Sequence, residues 1–116
     1  RTEARLEEMT RPIPKPRRGE LWLAELDKRR PVVVLTRDPL GAVLHSVIVG
    51  PVTSTVRGLS TEVPLGAEDG ARIASAVNLD NLQLLDRGRL VRRVGRVRPK
   101  TMRRLCAAAA VAIACR

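Results

Sequence analysis

GELWLAELDKRRPVVVLT, Gly19 to Thr36, is the stretch from which the fold can be read. In its first half Leu21 and Leu23 alternate with Trp22, Ala24 and Leu26, a short strand apolar on both faces. Asp27-Lys28-Arg29-Arg30 forms a tight charged turn. Pro31 to Thr36 is β-branched and apolar throughout, which marks a strand buried on both sides with Pro31 as its first residue. Two such runs joined by a short polar turn predict a hairpin.

Working outward, residues 1–18 mix charge with Pro12, Pro14 and Pro16, a spacing that forbids a helix and discourages a central strand, so this segment reads as a flexible, mobile or loosely docked extension. Residues 19–116 read as a single domain. Downstream, Asp38-Pro39-Leu40-Gly41 is a turn, Val43 to Val49 a third strand ending at Gly50-Pro51, and Thr53-Ser54-Thr55 a hydroxyl cluster just beyond it. Thr61 to Leu65 and Ile73 to Leu79 read as further strands, and Val91 to Val97 alternates as an exposed one. Pro99 suits the first position of a helix, although Arg98 is a poor cap before it. Met102, Leu105, Cys106, Ala109, Ala112 and Ile113 then recur at three- and four-residue steps, an amphipathic helix. Five to seven antiparallel strands and one C-terminal helix predict a mainly β fold, a small barrel or roll.

A chain of 116 residues has room for one modest core. That core must be knitted from aliphatic side chains, because Phe and Tyr are absent and Trp22 is the one aromatic. The net charge of +10 is unevenly placed: residues 1–86 carry twelve basic and twelve acidic side chains, whereas 87–116 hold ten Lys or Arg and no acid. Such a one-sided field favours polyanions, or it is a solubilising surface. Cys106 and Cys115 lie nine residues apart on one helix, which places them on opposite faces, so they read as small buried apolar residues in a reducing compartment. The longest apolar run, Leu105 to Cys115, has eleven residues, short of the roughly 18 needed to span a bilayer. No membrane association and a cytoplasmic location follow as expectations.

The strings GELWLAELDKRRPVVVLTRD, VIVGPVTSTVRGLSTEVPL and SAVNLDNLQLL, taken in order, resemble the MazF/PemK family of toxin endoribonucleases, in particular its compact actinobacterial branch. The resemblance runs from about residue 17 to 114. It implies an SH3-like barrel of the CcdB/PemK type with a C-terminal helix. It also implies a homodimer and an antitoxin partner whose acidic, disordered tail mimics RNA. The activity implied is sequence-specific, metal-independent and cofactor-free cleavage of single-stranded RNA, giving 2′,3′-cyclic phosphate and 5′-hydroxyl ends and arresting growth. Arg30 falls at the family's catalytic arginine before proline, and Thr53 at its catalytic threonine. The first turn is shorter than in many relatives, so the loop carboxylate of some members has only Asp27 as a stand-in.

That chemistry needs a base for the 2′-hydroxyl, neutralised phosphoryl oxygens and an acid for the leaving oxygen. A guanidinium at Arg30 suits the second task, being always charged and able to bond phosphate twice in parallel. The Thr53 hydroxyl can donate a hydrogen bond or relay a proton, but is no base at neutral pH. Supporting or RNA-contacting roles fall to Asp27, Lys28, Arg29, Ser54, Thr55, Arg57, Asp80 and Asn81. Each has a plain alternative: surface charge for the basic residues, turn hydroxyls for Ser54 and Thr55, and a polar turn for Asp80 and Asn81. His45, the single histidine, reads as a partly buried strand residue, and Trp22 as part of the barrel wall rather than a base-stacking platform. Two rivals remain in view: a CcdB-like gyrase poison, which would use a tryptophan beyond the helix where this chain has Ala114-Cys115-Arg116, and a non-catalytic nucleic-acid-binding barrel.

Overall fold

The computed structural model describes residues 12–114. Among these, seven strands precede one helix: β1 (Glu20–Glu25), β2 (Arg29–Val34), β3 (Ser46–Thr53), β4 (Glu62–Leu65), β5 (Ser75–Asn78), β6 (Gln83–Asp86), β7 (Leu90–Arg96) and α1 (Pro99–Ile113). All pairings are antiparallel, in the order β4-β5-β3-β2-β1-β7, with β6 also on β3. This is the mainly β architecture with a C-terminal helix expected from the pattern, and β1 and β2 form the expected hairpin.

Two apolar clusters lie on opposite faces of the sheet, and the alternation of β2 divides its valines between them. Val33 joins Leu21, Val63, Val77 and Leu79 beneath Leu105 and Ala108 of α1, while Val32 and Val34 join Ala24, Val47, Val49 and Leu85. All three valines have no exposed surface, as a strand buried on both sides requires. Trp22 packs at the margin of the second cluster, with its indole N–H donated to Glu20 Oε1 at 3.1 Å, and so belongs to the wall.

Several expected boundaries move. Strand β2 begins at Arg29, so Pro31 is its third residue, opposite Leu23, and Arg30 is a strand residue opposite Ala24 rather than part of the turn. The third strand is Ser46–Thr53, not Val43 to Val49: Val43 and Leu44 are exposed in the preceding turn, and the strand continues through Gly50 and Pro51. The proline is tolerated because it stands where β3 exchanges β6, paired at Ser46 to Val49, for β5, paired at Val52 and Thr53. His45 accordingly lies outside the strand, with its side chain 93% exposed and Nε2 3.3 Å from Asp86 Oδ2. Strand β5 is shorter than expected, since Ile73 is exposed before it and Leu79 opens a helical turn after it.

Helix α1 starts at Pro99 as expected, but its buried stripe is Thr101, Leu105 and Ala108, flanked by Met102, Ala109 and Ala112. Cys106 and Ile113 are exposed, contrary to the expected face; Cys115 lies outside the described residues. Alanines at 107 to 110 hide the phase of the helix, since an alanine serves on either face. The cap that Arg98 cannot provide comes from Asp69, a carboxylate with no exposed surface, which accepts the Arg98 N–H at 2.9 Å and the Thr101 hydroxyl at 2.8 Å. It also accepts the Gly66 N–H and the Arg98 guanidinium, so one group closes its own loop and seats the helix.

Candidate functional site

A cleft of ≈ 480 Å³ opens where the β1–β2 hairpin meets the end of β3 and the turn after β5. The hairpin contributes Asp27 and Arg30; the end of β3 and the loop beyond it contribute Thr53, Thr55 and Arg57; the turn contributes Asp80 and Asn81. Seven of the ten residues singled out in the sequence therefore share one cavity, although they span positions 27 to 81. Lys28, Arg29 and Ser54 do not line it. Lys28 and Ser54 are exposed, and Arg29 is held away by an ion pair with Glu25.

Arg30 is partly buried at the cleft wall. Its Nε is enclosed without a hydrogen-bond partner and lies 3.4 Å from Asp27 Oδ1, near enough for attraction but not aligned to bond. The guanidinium is thus steered by Asp27, and among the described residues its outer N–H groups meet no hydrogen-bond acceptor. Asp27 is held below the ordinary carboxylate range chiefly by the backbone N–H of Lys28; desolvation opposes this, and the charge of Arg30 adds a lesser lowering. A carboxylate of lowered pKa is a weak proton acceptor, which suits orientation of Arg30 better than general-base work.

Thr53 ends β3 with its oxygen accepting the Thr55 backbone N–H at 3.1 Å. The local bond occupies the acceptor side of the hydroxyl and leaves its proton for a group in the cleft. Asp80 is more committed: its backbone N–H goes to Asn78 Oδ1 at 2.9 Å, and its Oδ2 accepts the Thr61 hydroxyl.

Sequence reasoning missed Glu62, Asn78 and Gln83, which also line the cleft. Glu62 is 9% exposed, and its Oε1 accepts the backbone N–H groups of Arg57 at 2.9 Å and Leu59 at 3.2 Å. It pins the loop that carries Arg57. The available signal was an acid opening the apolar EVPL strand, a position where a carboxylate needs a partner. Among the described residues no group of three or more His, Cys, Asp or Glu is arranged to hold a metal ion, and no helix is long and apolar enough to cross a membrane.

Comparison with known proteins converges on one family. A family model described as PemK-like, MazF-like toxin of type II toxin-antitoxin system matches residues 17–113. The probable endoribonuclease MazF5 of Mycobacterium tuberculosis is 44% identical over 103 residues, covering 86% of this chain and 94% of the relative. Among solved structures, the Mycobacterium tuberculosis toxin MazF-mt6 superposes with a TM-score of 0.79 at 38% identity, over 84% of this chain and 98% of that one. A mycobacterial endoribonuclease in complex with its cognate antitoxin gives 0.80 at 26% identity, over 87% and 97%.

Proposed function

The chain belongs to the PemK-like, MazF-like toxin family of type II toxin-antitoxin systems, and on that premise we propose that it is an endoribonuclease cutting single-stranded RNA in the cleft between Arg30 and Thr53. The observation that carries this reading is the convergence of the two side chains on one cavity, each with its donors unspent.

In the proposed reaction the ribose 2′-hydroxyl gives up its proton as its oxygen attacks the adjacent phosphorus, and the bond to the 5′-oxygen breaks as that oxygen takes up a proton. The products are a 2′,3′-cyclic phosphate and a 5′-hydroxyl. Arg30 neutralises the charge growing on the phosphoryl oxygens, and preorganised donors of this kind typically contribute about 10²- to 10³-fold each. Thr53 donates to a phosphoryl or leaving oxygen. Asp27 holds the guanidinium in place, and Glu62 holds the loop bearing Arg57. Asp80 and Asn81 face the cleft where unstacked bases would expose their edges, a use consistent with single-strand recognition. Cleavage of cellular RNA would stop translation and growth, which fits a cytoplasmic toxin held in check by an antitoxin. That antitoxin would carry an acidic, disordered tail, and the toxin itself would act as a homodimer, the latter readable as molar mass by light scattering.

Purified protein incubated with long single-stranded RNA in EDTA tests the reading directly. Wild type should cut at a short recurring motif, and Arg30→Ala and Thr53→Ala, folded by circular dichroism, should not. Intact RNA with folded wild type overturns it. Relatives named endoribonucleases support this reading over a gyrase poison or a passive binding barrel.

A further inference from the structure

The charge of the chain and the charge of its cleft do not match. The chain carries +10, yet the cleft sets Arg30 and Arg57 against Asp27, Glu62 and Asp80. A cavity with more carboxylates than cations does not by itself draw in a polyanion. Among the described residues no cation of 87–116 lines this cleft: Arg87 and Arg89 stand in the turn before β7, and the others lie along β7 and the start of α1. Part of this charge is spent within the fold: Arg87 on the Ala42 carbonyl, Arg93 on Glu20, and Arg98 on Asp69 and Glu68.

Arg96 and Arg103 are not spent. Among the described residues neither meets a carboxylate, and together with Arg18 they line a second cleft of ≈ 500 Å³ whose floor is Val97 and Met102. The one acid of its lining, Asp38, accepts the Arg18 backbone N–H at 2.8 Å, while the Arg18 guanidinium rests on Cys106 Sγ at 2.7 Å. The two clefts lie at opposite ends of β1, Gly19 lining one and Leu26 the other. Seven residues of extended chain separate those positions by roughly 23 Å at ~3.3 Å each. The edge strand β7 bridges the interval, running from Leu90 opposite Ala24 to Arg96 opposite Glu20, with Arg92 exposed along it.

We propose that the cleft of Arg18, Arg96 and Arg103 is an exosite for the phosphate backbone of the RNA, engaged several nucleotides from the bond being cut. The proposal rests on the RNA-cleavage reading above. Three arginines lining one cavity suit phosphate, which a guanidinium can bond in parallel pairs. The carboxylate-rich cleavage cleft favours RNA over an acidic polypeptide as the occupant, because the substrate needs a source of affinity that this cleft lacks.

The test is Arg96→Gln with Arg103→Gln, measured for binding on a long uncleavable 2′-O-methyl RNA and on a poly-glutamate peptide as the acidic polypeptide, and for cleavage on long RNA and on a short RNA spanning only a mapped cut site. The expected result is about tenfold or greater loss of affinity for the long RNA. Its salt slope should become shallower by about 1.4, two phosphate contacts at ~0.7 each. Turnover of the short RNA should stay at the wild-type level, and Arg96→Lys with Arg103→Lys should recover most of the long-RNA affinity, which a folding defect would not. Unchanged long-RNA affinity, equal losses on short and long RNA, or a loss confined to an acidic peptide each overturn the exosite. The two readings fail separately: wild type that cuts no RNA but binds it through Arg96 and Arg103 defeats the nuclease and leaves this cleft as an RNA-binding site in its own right, whereas wild type that cuts RNA with unchanged affinity in the double variant defeats the exosite alone.

Discussion

Thr53 and Arg30 sit on different strands and are brought together only by the β2–β3 pairing, so the roles of the two side chains can be separated by small chemical changes. Thr53→Ser keeps the hydroxyl and should retain activity within about tenfold, whereas the nearly isosteric Thr53→Val should lose roughly 10²- to 10³-fold in kcat at constant fold. Equal rates for the two variants would remove the hydroxyl from the mechanism. Glu62 gives a contrasting case. Glutamine can accept the same two backbone N–H bonds, so Glu62→Gln should still cut RNA, while Glu62→Ala leaves two donors unpaired and should cost about 1–3 kcal/mol in denaturant unfolding. Loss of cleavage in a stable Glu62→Gln would instead identify the carboxylate as the missing base. Arg30 and Thr53 could be proposed from the sequence, and found lining one cleft, because each is embedded in a family string. Glu62 was not, because its meaning depends on which loop folds back over it.

At the level of single elements, α1 depends on an acid 29 residues before its N-cap, Arg98. Burial pushes the Asp69 carboxyl up, but the Arg98 side chain, the Arg98 and Gly66 backbone N–H groups and the Thr101 hydroxyl outweigh it and hold the group at about 2. A folded-state pKa below the unfolded value of 3.8 means stability that is complete above pH 4 and lost as pH falls toward 2, on the order of 2 kcal/mol in all. Asp69→Asn should therefore lower the melting temperature at pH 7 and flatten the loss of stability between about pH 4 and pH 2. A variant as acid-sensitive as wild type would show that another group sets the transition. The helix itself was plain from its spacing and from Pro99. Its rotation was not, because four consecutive alanines carry no facing information, and the actual stripe left Cys106 and Ile113 in solvent.

For the molecule as a whole, binding and cutting are expected to respond differently to salt. Affinity for long RNA should fall steeply with ionic strength, and Thr53→Val should lie on the same salt slope as wild type because it removes no charge. A changed slope in that variant would tie the hydroxyl to phosphate binding rather than to the chemical step. The sequence by itself determined the hairpin of Gly19 to Thr36, the mainly β class, the closing helix and the location of the basic excess along the chain. Those features follow from local periodicity and composition, which neighbouring residues settle among themselves. Only the tertiary structure decided that β3 runs on through Gly50 and Pro51, that His45 stands in solvent, and that Asp69 caps a distant helix. It also decided that Arg96 and Arg103 line a cleft at the far end of β1 from Arg30 and Thr53. Each of these depends on a partner remote in the chain, and strand exchange, burial and charge balance within a cavity exist only once the sheet has brought those partners into contact.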